Sequence, residues 1–160
     1  MEVFEQTVKR TNLWLFALQL GFFAGLIWGG LKLLAYYLQF TKVVPGFMAE
    51  PFLLHSYLKS TRGAFAGWGI FTLFSVFASV LYAALFRKTR GPWPGILYGL
   101  AWWVFWFALY GPAIDAVKPI TELDRNSFFT ELCLFILWGL FIGYTINFEF
   151  NEERGAETAD

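Results

Sequence analysis

Four apolar stretches, each long enough to cross a lipid bilayer, dictate what this chain can fold into. A helix needs about 20 mostly apolar residues to traverse roughly 30 Å of hydrocarbon, and a helix satisfies all of its backbone hydrogen bonds within the segment itself. Leu13 to Phe40 is broken only by Lys32, and Ala64 to Phe86 carries no charge. Trp93 to Tyr110 is also uncharged, and Phe128 to Phe148 holds Glu131. The overall usage agrees: 58% of residues are hydrophobic and 22% aromatic, against about 45–50% apolar residues in ordinary soluble domains. The expected fold is an all-α, integral membrane four-helix bundle. It forms one transmembrane domain over residues 13–148, with spans at about 13–40, 64–86, 93–110 and 128–148. Residues 1–12 read as an N-terminal tail and residues 149–160 as an acidic C-terminal tail.

Glu2 and Glu5 precede the first apolar run, whereas a cleaved signal peptide starts basic and has a shorter apolar core. The run is expected to remain as an uncleaved anchor. Four spans place both ends of the chain on one side with the short loop Arg87 to Gly91, and the first and third loops on the other. Lysine and arginine orient such a bundle. Lys9, Arg10, Arg87, Lys88, Arg90 and Arg154 stand against Lys42, Lys59, Arg62, Lys118 and Arg125. Three of the first group crowd one very short, acid-free loop, so both termini are expected in the cytoplasm. The formal net charge of zero gives no reason to expect nucleic acid. Cys133 is the single cysteine, which excludes an intrachain disulfide.

In the first loop, "EPFLLHSYLKSTRG" sets Leu53, Leu54, Tyr57 and Leu58 at helical spacing behind Pro51, a residue suited to a first helical position. Two arrangements fit: a short amphipathic helix lying in the outer interface, or a loop folded onto the bundle. His55, the sole histidine, lacks companion ligands for a metal and reads as a solvated residue.

Small residues carry the packing signal. Gly21, Gly25 and Gly29 repeat every four residues in the first span, and Gly139 and Gly143 do so in the fourth, a spacing that lets another helix approach closely. Thr72, Ser75, Ser79 and Ala83 share one face of the second span, where hydroxyls can bond back to their own helix or across to a neighbour. "GPWPGILYG" supplies Gly91, Gly95 and Gly99, with prolines that favour a helix start near Trp93. Trp93 suits an interfacial anchor, while Trp102, Trp103 and Trp106 lie deeper and fill volume between helices or face lipid.

No catalytic spacing is present: there is no G-x-S-x-G, P-loop or H-E-x-x-H. The only charges within the apolar spans are Lys32 and Glu131, one late in the first span and one early in the fourth. Chain parity brings both toward the same membrane face. Lys32 falls within the arc swept by the glycines of its span, so an ion pair with Glu131 is the sharp expectation; the bland one has Lys32 snorkelling to the headgroups and Glu131 wetted near the helix start. In "ITELDRNSFFTEL", Thr121 suits an N-cap and Glu122 and Asp124 suit a first helical turn, with Glu122 and Arg125 placed to pair at i, i+3. Glu50, His55, Asp115, Asp124, Arg125 and Asn126 share one side of the membrane and form a candidate extracytoplasmic polar cluster.

"LLAYYLQF", "EPF", "WPGILYGLAWW", "LDRNS" and "LFIGYTINFE", in that order across Leu33 to Glu149, resemble the YqhR family of four-span membrane proteins from spore-forming Gram-positive bacteria. The resemblance implies a cell-membrane address and brings no activity, substrate, cofactor or catalytic residue with it. The expected role is that of an accessory or structural membrane component acting through protein partners within the lipid bilayer. The alternative is a small transporter, or a lipid- or ion-handling protein, that works as a homo-oligomer. An enzyme is the weakest reading, because few ionisable groups lie at membrane depth.

Overall fold

The computed structural model describes residues 12–158, with side chains through Asn151, and every regular element among them is helical. Helix α1 (Leu13–Tyr37) is capped by Asn12, whose side-chain oxygen accepts from the Trp14 N–H at 3.1 Å. Its far end closes with two bonds, Phe40 N–H to the Ala35 carbonyl at 2.9 Å and Gln39 N–H to the Tyr36 carbonyl at 3.1 Å. Gln39 takes φ 64°, the left-handed residue such a closing motif requires. The turn throws the first loop back over the bundle, where Thr41, Val43, Val44, Phe47, Met48 and Ala49 are buried.

A 3₁₀ turn at Phe47–Ala49 and the single-turn helix α2 (His55–Leu58) follow. Of the two arrangements open for the first loop, the fold adopts the loop folded onto the bundle, and no helix starts at Pro51. The burial falls upstream, on Val43 to Ala49, while Phe52 and Leu54 stand 86% and 77% exposed and Leu58 alone of α2 is buried. Gly67 makes this possible, since a side chain there would meet the Gly46 Cα at 2.5 Å.

Helix α3 (Thr61–Phe86) starts from Ser60, whose hydroxyl accepts from Gly63 N–H at 3.1 Å. Helix α4 (Trp93–Val104) widens into a π-helical stretch, Phe105–Tyr110, and ends in the short turn α5 (Gly111–Ala113). Pro112 explains the widening: it offers no N–H to the carbonyl four residues back and its ring crowds that carbonyl. Helix α6 (Arg125–Thr158) begins later than the expected Thr121 cap. Glu122 N–H closes a turn onto the Pro119 carbonyl at 2.8 Å, and Ile120 and Leu123 pack on the core, which draws this segment off the helix axis. Glu122 and Asp124 therefore both precede the helix, and neither lies in its first turn. At the other end α6 runs through much of the expected acidic tail, whereas the expected N-terminal tail lies, but for Asn12, outside the described residues.

Four segments are long and apolar enough to cross a membrane: Leu13–Tyr37, Thr61–Phe86, Trp93–Ala113 and Arg125–Asn151. They assemble as two tightly apposed pairs, α1 with α3 and α4 with α6. A methyl group added at Gly21 or Gly25 would lie 2.6 Å from Val76 Cα or 2.5 Å from Thr72 Cα, and one at Gly29 would lie 2.5 Å from the Trp68 ring. The second pair is joined glycine to glycine: the same addition at Gly139 meets Gly99 Cα at 2.5 Å, and at Gly143 it meets Gly95 Cα at 2.5 Å.

Between the pairs lies an aromatic core. Phe74 stacks on Trp138 with centroids 5.5 Å apart and meets Trp102 edge-on at 4.8 Å. Three polar pairs inside are matched across helices, as hydrocarbon favours, whereas the buried Ser79 hydroxyl and the Trp103 indole N–H have no hydrogen-bond partner among the described residues. The Trp138 indole donates to Ser75 Oγ at 2.9 Å, the Tyr98 hydroxyl to the Ala78 carbonyl at 2.6 Å, and the Asn147 amide to the Tyr82 hydroxyl at 3.1 Å. Thr72 bonds back to the Trp68 carbonyl at 2.9 Å. Trp103 is buried, and Trp93 is exposed at the start of α4.

Candidate functional site

Lys32 points inward because it shares the arc of the α1 glycines that abut α3. Its Nζ lies 2.5 Å from Glu131 Oε2, with the two side chains 3% and 0% exposed. The other carboxylate oxygen, Oε1, accepts from the Thr41 hydroxyl at 2.8 Å. Two rings complete the surround, with Nζ 4.8 Å from the centroid of Phe47 and 5.9 Å from that of Phe107, distances at which a cation is drawn to a π face. Phe47 comes from the 3₁₀ turn of the first loop and Phe107 from the π-helical stretch after α4. One buried charge pair thus ties together α1, the first loop, the third span and α6.

The same face of α6 grips the loop at further points. Ser127, one turn before Glu131, accepts from the Lys42 N–H at 2.9 Å, and the Thr130 hydroxyl donates to the Phe40 carbonyl at 3.3 Å. The Thr41 hydroxyl oxygen also accepts from Val43 N–H at 3.2 Å. Both carboxylate oxygens are engaged and the opposite charge is in contact, so the arrangement neutralises itself. Chemically it is suited to holding a loop in register.

Above it, on the side of the first and third loops, lies a cavity of about 410 Å³. Its wall includes Lys42, Lys59, Lys118, Glu122, Asp124 and Ser127, and Val43, Val44 and Val117 supply apolar surface. Lys42 Nζ lies 4.0 Å from Asp124 Oδ1. The structure divides the expected polar cluster. His55 and Asp124 line the cavity, and Glu50 lies beside it, its carboxylate paired with His55 Nδ1. Asp115 sits exposed in a turn with φ 56°, and Arg125 and Asn126 are exposed on the first turn of α6; none of these three lines the cavity. The parity of the spans puts all six on one face, but side-chain direction separates them.

Thr41, Ser127, Phe47 and Phe107 do not stand out in the sequence. Ser127 has a legible signal, because it stands four residues from Glu131 and so shares its helical face. Among the described residues, no three of His, Cys, Asp and Glu gather as a metal site. Cys133 is exposed on α6.

The family model described as "Conserved membrane protein YqhR" matches residues 2–160. A relative from Bacillus subtilis (strain 168), "Uncharacterized protein YqhR", is 35% identical over 139 residues, covering 87% of this chain and 78% of that protein. No solved structure matches the chain. With the match running over nearly its whole length, the chain belongs to the YqhR family of conserved membrane proteins.

Proposed function

We propose that this chain is an accessory or structural component of the cell membrane that acts through protein partners and catalyses no reaction of its own. The observation that supports this is the self-contained state of its deepest charges: Lys32 and Glu131 neutralise each other, and the second Glu131 oxygen is taken by Thr41. A reaction centre needs a group left poised for a substrate, and intramembrane ionisable residues that serve one face a cavity or pathway. Here they brace a loop. The test is purification of the full chain from membranes in a mild detergent, compared with a Phe52→Ser/Leu54→Ser variant, since these two loop residues are apolar and exposed. A stoichiometric protein that copurifies with the parent and is lost from the variant is the expected result. A bare chain in both cases would remove the proposal.

The second reading, a lipid- or ion-handling oligomer, draws support from an apolar groove of about 450 Å³ on the flank of α6, lined by Trp28, Leu140, Phe141 and Tyr144. Tightly copurified lipid or a symmetric oligomer, without a protein partner, would favour it.

The orientation forms part of the proposal: both termini and Thr89 in the cytoplasm, with the cavity outside, because Arg87, Lys88 and Arg90 concentrate positive charge on one short loop. Single cysteines at Thr89 and Ser56, in a Cys133→Ser background, report this on intact cells. An impermeant thiol reagent is expected to label position 56 and spare position 89, and the reverse pattern would invert the topology.

A further inference from the structure

We propose that the cavity between the first and third loops binds a compact zwitterion, a phosphate carried next to an ammonium, as in an aminophospholipid headgroup or its free soluble counterpart. The proposal is independent of the accessory reading. It begins from the origin of the lysines: Lys42 follows α1, Lys59 follows α2 and Lys118 follows α5, and all three line one wall system. Like charges gathered from three separate segments repel, and a bound anion relieves that repulsion. Lys42 is already near Asp124, whereas Lys59 and Lys118 make no ion pair among the described residues. These two are left to hold the phosphate.

A plain anion fits less well. Glu122 and Asp124 share the lining, and either would repel it. A plain cation meets the three lysines. A ligand bearing both signs satisfies both sets, with Glu122, itself unpaired among the described residues, receiving the ammonium. The volume of about 410 Å³ lies within the range of small-molecule sites. Buried Val43, Val44 and Val117 give the floor an apolar surface for the short linker between the two charges.

The floor is also held in advance. Thr41 is fixed by Glu131 and the Lys42 backbone by Ser127, so little ordering remains to be done when a ligand arrives.

The experiment uses the full chain in detergent, with native mass spectrometry reading lipid retained from equal mixtures of phosphatidylethanolamine and phosphatidylglycerol. Retention of the ethanolamine lipid over the glycerol lipid is expected. Lys59→Gln/Lys118→Gln should lower it about tenfold, on the scale of losing charged hydrogen bonds, and Glu122→Gln should erase the preference between the two lipids. All these positions are exposed, and an unchanged melting midpoint verifies that the variants fold. Soluble phosphoethanolamine supplies the second arm. If it binds the parent and not the double lysine variant while neither lipid is retained, the ligand is the free zwitterion; if it fails to displace retained ethanolamine lipid, the ligand is the lipid. Equal or better retention of phosphatidylglycerol by the parent, parent-like retention by the lysine variant, or no binding of any of the three probes overturns the proposal.

Discussion

Lys32→Met is expected to destabilise the bundle by about 3–5 kcal/mol, and Glu131→Leu by a similar amount, the cost of stripping one partner from a buried ion pair. Each single change leaves a charge that is 3% or 0% exposed, shut away from bulk solvent. The remaining group must stay ionised in a low-dielectric site or change its protonation, and either costs free energy. The double variant removes both charges and replaces them with apolar side chains of similar bulk. It should lose only about 1–3 kcal/mol, mostly because the Thr41 hydroxyl forfeits its acceptor. The coupling between the two sites would then amount to several kcal/mol, far above the few tenths typical of independent positions. Reversible unfolding of the detergent-solubilised protein measures all four corners of the cycle. Additive losses would mean that the two side chains act separately, and the brace described here would have to be abandoned.

A pair that adds little net stability compared with an apolar replacement still specifies geometry. Lys32 lies near the end of α1 and Glu131 about six residues into α6, so their contact sets the depth of one helix against the other. It also fixes which part of the first loop descends, since only Thr41 reaches the second carboxylate oxygen. A slip of one residue in α6 would rotate Glu131 by about 100° and leave both charges unmatched. The energetic penalty for misassembly is therefore larger than the reward for correct assembly. That asymmetry suits a component whose role depends on presenting a loop surface in one shape.

How much of the fold and site is legible in the sequence follows from the range of the interactions. The Lys32–Glu131 contact is accessible because it depends only on span order and helical phase. The glycine faces are accessible for the same reason, although the specific pairing of α1 with α3 and α4 with α6 is not. The first loop resists. Leu53, Leu54, Tyr57 and Leu58 carry a helical period, yet the loop's path is set by Gln39, a non-glycine residue in the left-handed region, and by the fit of Gly46 against Gly67. Neither is a local pattern. Phe107 reaches the lysine through a π-helical stretch that follows from Pro112, a proline in plain view whose effect on the preceding turn depends on how the helix end packs. The helical continuation of α6 beyond the membrane is hidden by polarity. A run rich in Glu, with Arg and Ala, scores as a solvated tail by charge and as a good helix by propensity, and only attachment to an existing helix decides between them.

Gly25→Leu is expected to cost about 3 kcal/mol or more, at or beyond the upper end of ordinary overpacking. The reason lies in what the new side chain meets. A Cβ at Gly25 would stand 2.5 Å from Thr72 Cα and 3.0 Å from Ser75 Cβ. The first of these is backbone and cannot rotate away. Relief requires α1 and α3 to separate, which opens the contact along Gly21 and Gly29 as well and pulls Lys32 back from Glu131. Gly69 provides the control, because it lies on α3 where an added Cβ would have nothing within 4 Å, and its backbone angle is unstrained. Gly69→Leu removes a helical glycine, so it should be neutral or stabilising by up to about 1 kcal/mol. The contrast separates close approach from the general behaviour of glycine in a helix, a distinction that spacing alone cannot make. Gly139→Leu on α6 should repeat the large effect, since its obstacle is again backbone, Gly99 Cα at 2.5 Å. Equilibrium unfolding in one detergent places the three variants on a common scale. If Gly25→Leu and Gly139→Leu both unfold with the parent while remaining folded and inserted, the glycine faces look onto lipid, and the two-pair architecture that positions the buried charges fails with them.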